Sequence, residues 1–172
     1  VWASLWKDAA LLYRQEIGLD VEESAMAVVV QEVVVGACSG IAFTRSPAAE
    51  TQGMVESVHG LNSGLVDGVI EPDRWRLDRE TGGVLAHTPA QRTQVVTLSE
   101  NGGIRLQPLP PETARKAPLS EGQVKALFRT ALDIEKLFNV PQDVEWTLSG
   151  SAFTILQSRP ITTASGAKPE DK

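Results

Sequence analysis

The stretch D-V-E-W-T-L-S-G-S-A-F-T-I-L-Q-S-R-P, residues 143–160, sets two acids, an amide and an arginine at spacings suited to metal-nucleotide chemistry. Asp143 and Glu145 lie two apart, so a strand through Val144 and Trp146 sends both carboxylates to one face and the apolar pair to the other. A turn at Ser149, Gly150 and Ser151, then a returning strand over residues 152–157, brings Gln157 and Arg159 back beside the acids. Carboxylate and amide oxygens are the hard donors that Mg²⁺ prefers, and a guanidinium fork matches the edge of a phosphate. Together the four residues read as a clamp for Mg-ATP. A plainer reading stands beside it: acids two apart are common on a solvated edge strand, and Arg159 can serve as a strand-end ion pair to Asp143 or Glu145. Both hold at once in a nucleotide-free protein.

The elements that must position these residues are visible in outline. Leu5, Ala9, Leu12, Tyr13 and Ile17 recur at helical spacing and Gly18 is a credible stop, which predicts one amphipathic helix over residues 2–17. Residues 26–35 are so rich in valine that a strand buried on both faces is expected. Strands are also expected at 41–44, 53–58, 74–78, 84–88, 94–98 and 104–106, the later ones as a meander between Gly-rich turns. Pro108, Pro110, Pro111 and Pro118 force an extended connection. A helix follows, opened by a Ser120/Gln123 capping box and buried through Val124, Leu127, Phe128, Ala131, Leu132, Leu137 and Phe138, until Pro141 hands the chain to the clamp strands. The tail over residues 164–172 is small, polar and charged, as a linker would be.

Composition narrows the function classes. A chain of 172 residues suits one domain with a real core, since that length buries roughly 70% of its unfolded surface. A net charge of −6 without a basic face argues against a grip on nucleic acid. Cys38 is the single cysteine, which excludes a disulfide framework and a thiolate metal cluster and points to a cytoplasmic setting. The longest apolar run, residues 25–30, is too short to cross a bilayer, and a start at Val1 rather than Met suggests a piece of something longer.

Three blocks carry a family resemblance. D-V-E-W followed by I-L-Q-S-R-P-I resembles the closing strands of the ATP-binding domain in the phosphoenolpyruvate synthase and pyruvate phosphate dikinase family. Residues 27–47, A-V-V-V-Q-E-V-V-V-G-A-C-S-G-I-A-F-T-R-S-P, are similar to its buried strand, linker and S-G-V-x-F-T-x-x-P stretch. Residues 59–75, H-G-L-N-S-G-L-V-D-G-V-I-E-P-D-R-W, are similar to its G-L-G-E-x-V-V-x-G block, in the same order. The resemblance spans most of residues 1–163 and implies an α+β, ATP-grasp-type lobe, mainly antiparallel sheet with flanking helices. It implies that Gln31, Glu32, Val33 and Val34 form the hinge where adenine sits, the Glu32 carbonyl and Val34 amide reading the base. It further implies that Glu145 and Gln157 hold Mg²⁺, that Arg159 contacts the phosphates as the catalytic group, and that Asp143 supports the metal or nucleotide.

The same resemblance implies a dikinase that passes phosphate from ATP to a carrier histidine on a swivelling domain and then to pyruvate. The other lobe, the phosphohistidine domain and the acceptor-binding domain lie outside this chain, which is therefore expected to turn over nothing alone. A rifampicin-type antibiotic phosphotransferase shares the ATP module and stays open as an alternative. So does a degenerate regulatory module, because Asn62 and Ser63 stand where the family has Gly and Glu. His59 and His87 lack the carrier's T-S-H setting and are read as structural.

Overall fold

The computed structural model describes residues 1–21, 24–46 and 49–161. The chain divides into two compact units, residues 1–33 and Val34 onward. The tail expected at 164–172 lies outside the described residues.

In the first unit a 3-10 turn, Trp2–Trp6, precedes α1, Asp8–Glu16. The single helix expected over 2–17 is broken at Lys7, whose backbone is extended (φ −73°, ψ 144°) and which N-caps α1. Helix restarts at Asp8, where an acid in the first turn complements the helix dipole. Nor is the expected stripe buried: Leu12, Tyr13 and Ile17 are exposed, while Arg14 is buried, its guanidinium donating to the carbonyls of Ala10 and Leu5. Gly18 does stop the helix, at φ +73°. The strand expected over 26–35 is not formed. Those residues lie outside regular secondary structure, and Val30 is 95% exposed. Valine content expresses a preference for a pleated, half-buried surface, but a strand exists only through ladder partners, and this segment joins neither sheet.

The second unit is α+β and mainly antiparallel. Six strands, β1 (Cys38–Phe43), β2 (Gln52–His59), β3 (Asp73–Asp78), β4 (Val84–Thr88), β7 (Gln142–Ser149) and β8 (Ala152–Pro160), form one sheet ordered β4-β3-β2-β1-β7-β8. The expected meander divides. β5 (Gln94–Leu98) pairs instead with β6 (Ile104–Pro108) in a separate ribbon, tied to the main body by a bridge from Gly60 to Val96. The proline-rich connection, expected to be extended, holds one helical turn, α3 (Pro111–Ala114), started by Pro111 at a position where its missing N–H costs nothing, and continues through turns and bends to Leu119. A second short helix, α2 (Ser63–Val66), follows β2.

α4 (Glu121–Phe138) covers one face of the sheet. Its capping box forms as expected, Ser120 Oγ accepting from the Gln123 amide at 3.4 Å while Gln123 Oε1 accepts from the Ser120 amide at 2.9 Å. Asn139, in the left-handed conformation at φ 56°, ends it. Val124, Leu127, Phe128 and Ala131 pack against Val55, Trp75, Leu77, Val144, Trp146 and Leu148, all alternate residues of their strands. Gly53 leaves room for the Phe128 ring, which a Cβ there would strike. Leu137 and Phe138, expected in the stripe, are exposed. Cys38 belongs to this core, and burial pushes its thiol up to about 12, so it is an inert apolar filler.

One polar hub stands at the core's margin. Asp73, 1% exposed, accepts from Arg92 Nε at 2.7 Å, Arg92 Nη2 at 2.6 Å and His87 Nε2 at 2.7 Å, and His87 stacks on Trp75 at 3.6 Å. His59 meets the Lys116 carbonyl at 3.1 Å. Both histidines thus have structural partners, as expected. Burial alone would raise the Asp73 pKa, but the hydrogen bonds from Arg92, His87 and the Ala90 amide outweigh it and hold the carboxyl below its ordinary value. A carboxyl depressed on folding contributes stability in full above the ordinary aspartate pKa of about 4, and that contribution is lost as pH falls through the folded value. Asp73→Asn should therefore lower the melting temperature at neutral pH, and thermal melts carried down to about pH 3 should show the gap to wild type closing. A gap that stays constant with pH would mean that the hub acts by packing alone.

Candidate functional site

The face of the sheet opposite α4 is where the chemistry-bearing residues meet. In the β7–β8 ladder Asp143 pairs with Arg159 and Glu145 with Gln157. Directly opposed residues of an antiparallel pair share a face, so all four heads leave the same side. Val144, Trp146 and Leu148 take the other side into the core, as their alternation predicts.

A bulge makes this possible. Trp146 pairs with Ile155 while Glu145 pairs with Gln157, so Leu156 is an extra residue in β8. Strict alternation would put Ile155 and Gln157 on one face. The inserted residue reverses the parity, leaving Phe153 and Ile155 packed against the core while Gln157 and Arg159 turn to the acids.

The two acids are held in different ways. Asp143 is 7% exposed, and its Oδ2 accepts from Arg159 Nε at 2.9 Å, while Oδ1 is buried without a hydrogen-bond partner. Glu145 Oε2 accepts from Asn62 Nδ2 at 3.0 Å. An ion pair largely cancels the charge of Asp143, whereas a neutral amide orients Glu145 and leaves its charge whole. The Arg159 side chain is 62% exposed, and among the described residues only its Nε is engaged, which frees the two terminal amino groups for an anion. Phe43, Asp143, Arg159, Pro160 and Ile161 line an open depression of about 460 Å³ beside them.

Asn62 reaches Glu145 because its turn is pinned from three sides. The Gly60 amide donates to the Ala37 carbonyl at 3.0 Å, the Leu61 amide to the Val96 carbonyl at 2.9 Å, and Ser39 Oγ to the Gly60 carbonyl at 2.7 Å. Ser39 is itself in contact with Thr147 Oγ1 at 2.8 Å, two residues along β7 from Glu145. Gly60 carries the left-handed backbone the turn requires, at φ +74°, and a Cβ there would strike the Val96 carbonyl. Asn62 is right-handed (φ −65°, ψ −23°), so no conformational reason calls for glycine at that position.

The donor set suits a hard cation bound with a polyphosphate. Among the described residues no cluster of three or more His, Cys, Asp or Glu is assembled. Mg²⁺ does not need one, since it commonly takes one or two carboxylates and completes its octahedron with substrate phosphates and water. A fully charged Glu145, the Gln157 amide opposite it and the orphaned Asp143 oxygen fit that pattern.

Residues 1–172 match the family described as pyruvate phosphate dikinase, AMP/ATP-binding domain. The chain belongs to this family. A probable phosphoenolpyruvate synthase of Methanothermobacter thermautotrophicus is 36% identical over 170 residues, covering 98% of the chain and 25% of that protein. Another, from Methanocaldococcus jannaschii, is 32% identical and covers 99% of the chain and 15% of its own length. A rifampicin phosphotransferase of Streptomyces sviceus is 37% identical, covering 94% of the chain and 19% of that protein. The chain thus spans between 15 and 25% of the length of these relatives.

In this dikinase AMP/ATP-binding domain the structure assembles Asp143, Glu145, Gln157 and Arg159 on one patch. Gln31, Glu32 and Val33 fall in the first unit and Val34 opens the second, all four outside regular secondary structure. Sequence reasoning missed the contact of Asn62 with Glu145. No local signal links residues 83 apart. It also missed the bulge, although one signal was present: Phe153, Ile155, Gln157 and Arg159 share one parity yet change from apolar to polar midway. Among the described residues no helix is long and apolar enough to cross a membrane.

Proposed function

We propose that this chain is the Mg-ATP-binding lobe of a dikinase-type phosphotransferase of the cytoplasm, and that Glu145, Gln157, Asp143 and Arg159 form its phosphate end. The observation that carries this reading is the unequal treatment of the two acids. Glu145 keeps its full charge for a cation while Asp143 anchors the arginine.

Magnesium, when bound, would screen the polyphosphate charge from the oxygens of Glu145 and Gln157. The chain's own groups do the rest. Asp143 fixes the Arg159 fork through Nε, and the terminal amino groups of Arg159 meet the phosphoryl oxygens as charge shifts toward the leaving group, a mechanism of placement and electrostatics. The backbone of Gln31, Glu32, Val33 and Val34 takes adenine, the Glu32 carbonyl accepting from the N6 amino group and the Val34 amide donating to N1. The phosphate goes to a carrier histidine elsewhere in the full-length protein and from there to pyruvate. A drug hydroxyl is the second candidate acceptor, because relatives of both kinds match this chain at comparable identity.

Titration calorimetry of the full-length protein with Mg-ATP tests the reading. Glu145→Gln should weaken binding by at least about 100-fold, since even outer-shell partners of a metal ligand are worth 10- to 100-fold. Unchanged affinity in that variant, or no binding heat in the wild type, would point instead to a module that keeps the fold without the nucleotide.

A further inference from the structure

We infer that Asn62 is a positioning residue for the cation, acting through Glu145: its side-chain amide holds the carboxylate in its binding orientation without cancelling the charge. This rests on the assignment of Glu145 as a cation ligand. Asn62 occupies the N-cap position of α2, where an asparagine side chain ordinarily accepts a hydrogen bond from the first helical turn. Here no such capping bond is made. The side chain instead donates Nδ2–H to Glu145 Oε2 at 3.0 Å, across 83 residues of sequence, and leaves its own Oδ1 buried and unpartnered. Asn62 is 8% exposed, so both the missing cap and the orphaned carbonyl are costs that a residue placed only to start a helix would not carry.

The choice of an amide is chemically specific. Lysine or arginine would hold Glu145 as firmly but bring a positive charge beside the cation, as Arg159 does at Asp143. A hydroxyl is shorter, and a carboxylate would repel. An amide donates one N–H to the carboxylate, so the second carboxylate oxygen stays available. Partners of this kind set the orientation of a metal ligand and tune its affinity.

The test measures binding of AMP-PNP to the full-length protein by calorimetry in two arms, with Mn²⁺ and with EDTA. It compares wild type, Asn62→Ala, Glu145→Gln and the double variant. Asn62→Ala should weaken the Mn²⁺ complex about 10-fold, leave metal-free nucleotide binding unchanged, and lose nothing further in the Glu145→Gln background. Asn62→Leu, which keeps the volume and lacks the donor, should match it and guards against a collapsed turn in the alanine variant. Equal weakening in both arms, an undiminished loss in the Glu145→Gln background, or wild-type affinity in both Asn62 variants would each overturn the proposal. If Glu145→Gln itself binds Mn²⁺ and nucleotide like wild type, the failure belongs to the cation site as a whole. A Glu145 effect without an Asn62 effect sinks the Asn62 inference alone.

Discussion

Arg159→Ala in the full-length protein should slow ATP-dependent phosphoryl transfer by about 10³-fold, the low end of what an arginine at a phosphoryl transition state contributes. The loss should fall mainly on kcat. Charge on the transferring group is redistributed in the transition state, so a guanidinium placed there stabilises that state more than bound substrate. The side chain's geometry motivates this expectation: one nitrogen is spent on Asp143 at 2.9 Å and the rest of the group is open, at 62% exposure. Arg159→Lys keeps the charge but not the fork, and lysine cannot hold Asp143 and meet two phosphoryl oxygens together, so it should recover only part of the rate. Removing the arginine also leaves a nearly buried carboxylate unpaired, which should lower the melting temperature by an amount that Asp143→Asn in the same background restores. Steady-state kinetics with ATP decide the matter. A rate within tenfold of wild type would remove Arg159 from the chemistry.

The largest effect on stability is expected at Phe128. This ring is fully buried on the sheet side of α4, and its far edge occupies space that Gly53 leaves empty. Phe128→Ala should cost about 3–5 kcal/mol, because the neighbours are backbone and rigid β-sheet and cannot collapse into the void. For a chain of this length that is a fall in melting temperature of roughly 6–20 °C. Gly53→Ala alone should also destabilise, since its methyl meets the ring. In the double variant the methyl enters the cavity, and the combined loss should be smaller than the sum of the two. Circular-dichroism melts of the four proteins give the coupling. Strict additivity would mean that the ring and the glycine do not share that space. Because α4 lies on the opposite face from Glu145, nucleotide affinity well below the melting temperature should be unaltered.

Much of the fold was legible because its signals are local. The Ser120/Gln123 box and the apolar stripe of α4 from Val124 to Leu132 act within a few residues, and the structure realises them, while Leu137 and Phe138 stay exposed. The strands from β1 to β8 follow from period-two alternation and turn residues, and the antiparallel pairing of neighbours such as β1 with β2, β3 with β4 and β7 with β8 follows from the connections between consecutive strands, whereas β1 meets β7 across about 100 residues of chain that no local rule links. The juxtaposition of Asp143 and Glu145 with Arg159 and Gln157 was legible for the same reason: two acids, a turn and a returning strand lie within 18 residues, so local rules bring them together.

Other features depended on partners that composition does not name. The valines of residues 26–35 express a preference for burial in a sheet, yet the segment has no ladder among the described residues. β5 and β6 were expected to continue the meander after β4, but the Asp73 hub holds the chain at Ala90 and Arg92, and the two strands form a separate ribbon that meets the main body through the Gly60–Val96 bridge.

At the site, the residue types and their spacing already determined which face the acids share and what chemistry they suit, since the strand period is a property of the backbone. Only the tertiary structure decided which acid is neutralised and which stays charged. That distinction depends on a bulge at Leu156, which fixes the parity of Gln157 and Arg159, and on Asn62, brought to Glu145 by a turn anchored on β1 and β5. Seen as a letter in the sequence, Asn62 was a missing glycine; in three dimensions it is the hydrogen-bond donor to Glu145, because such a bond depends on distance in space rather than along the chain.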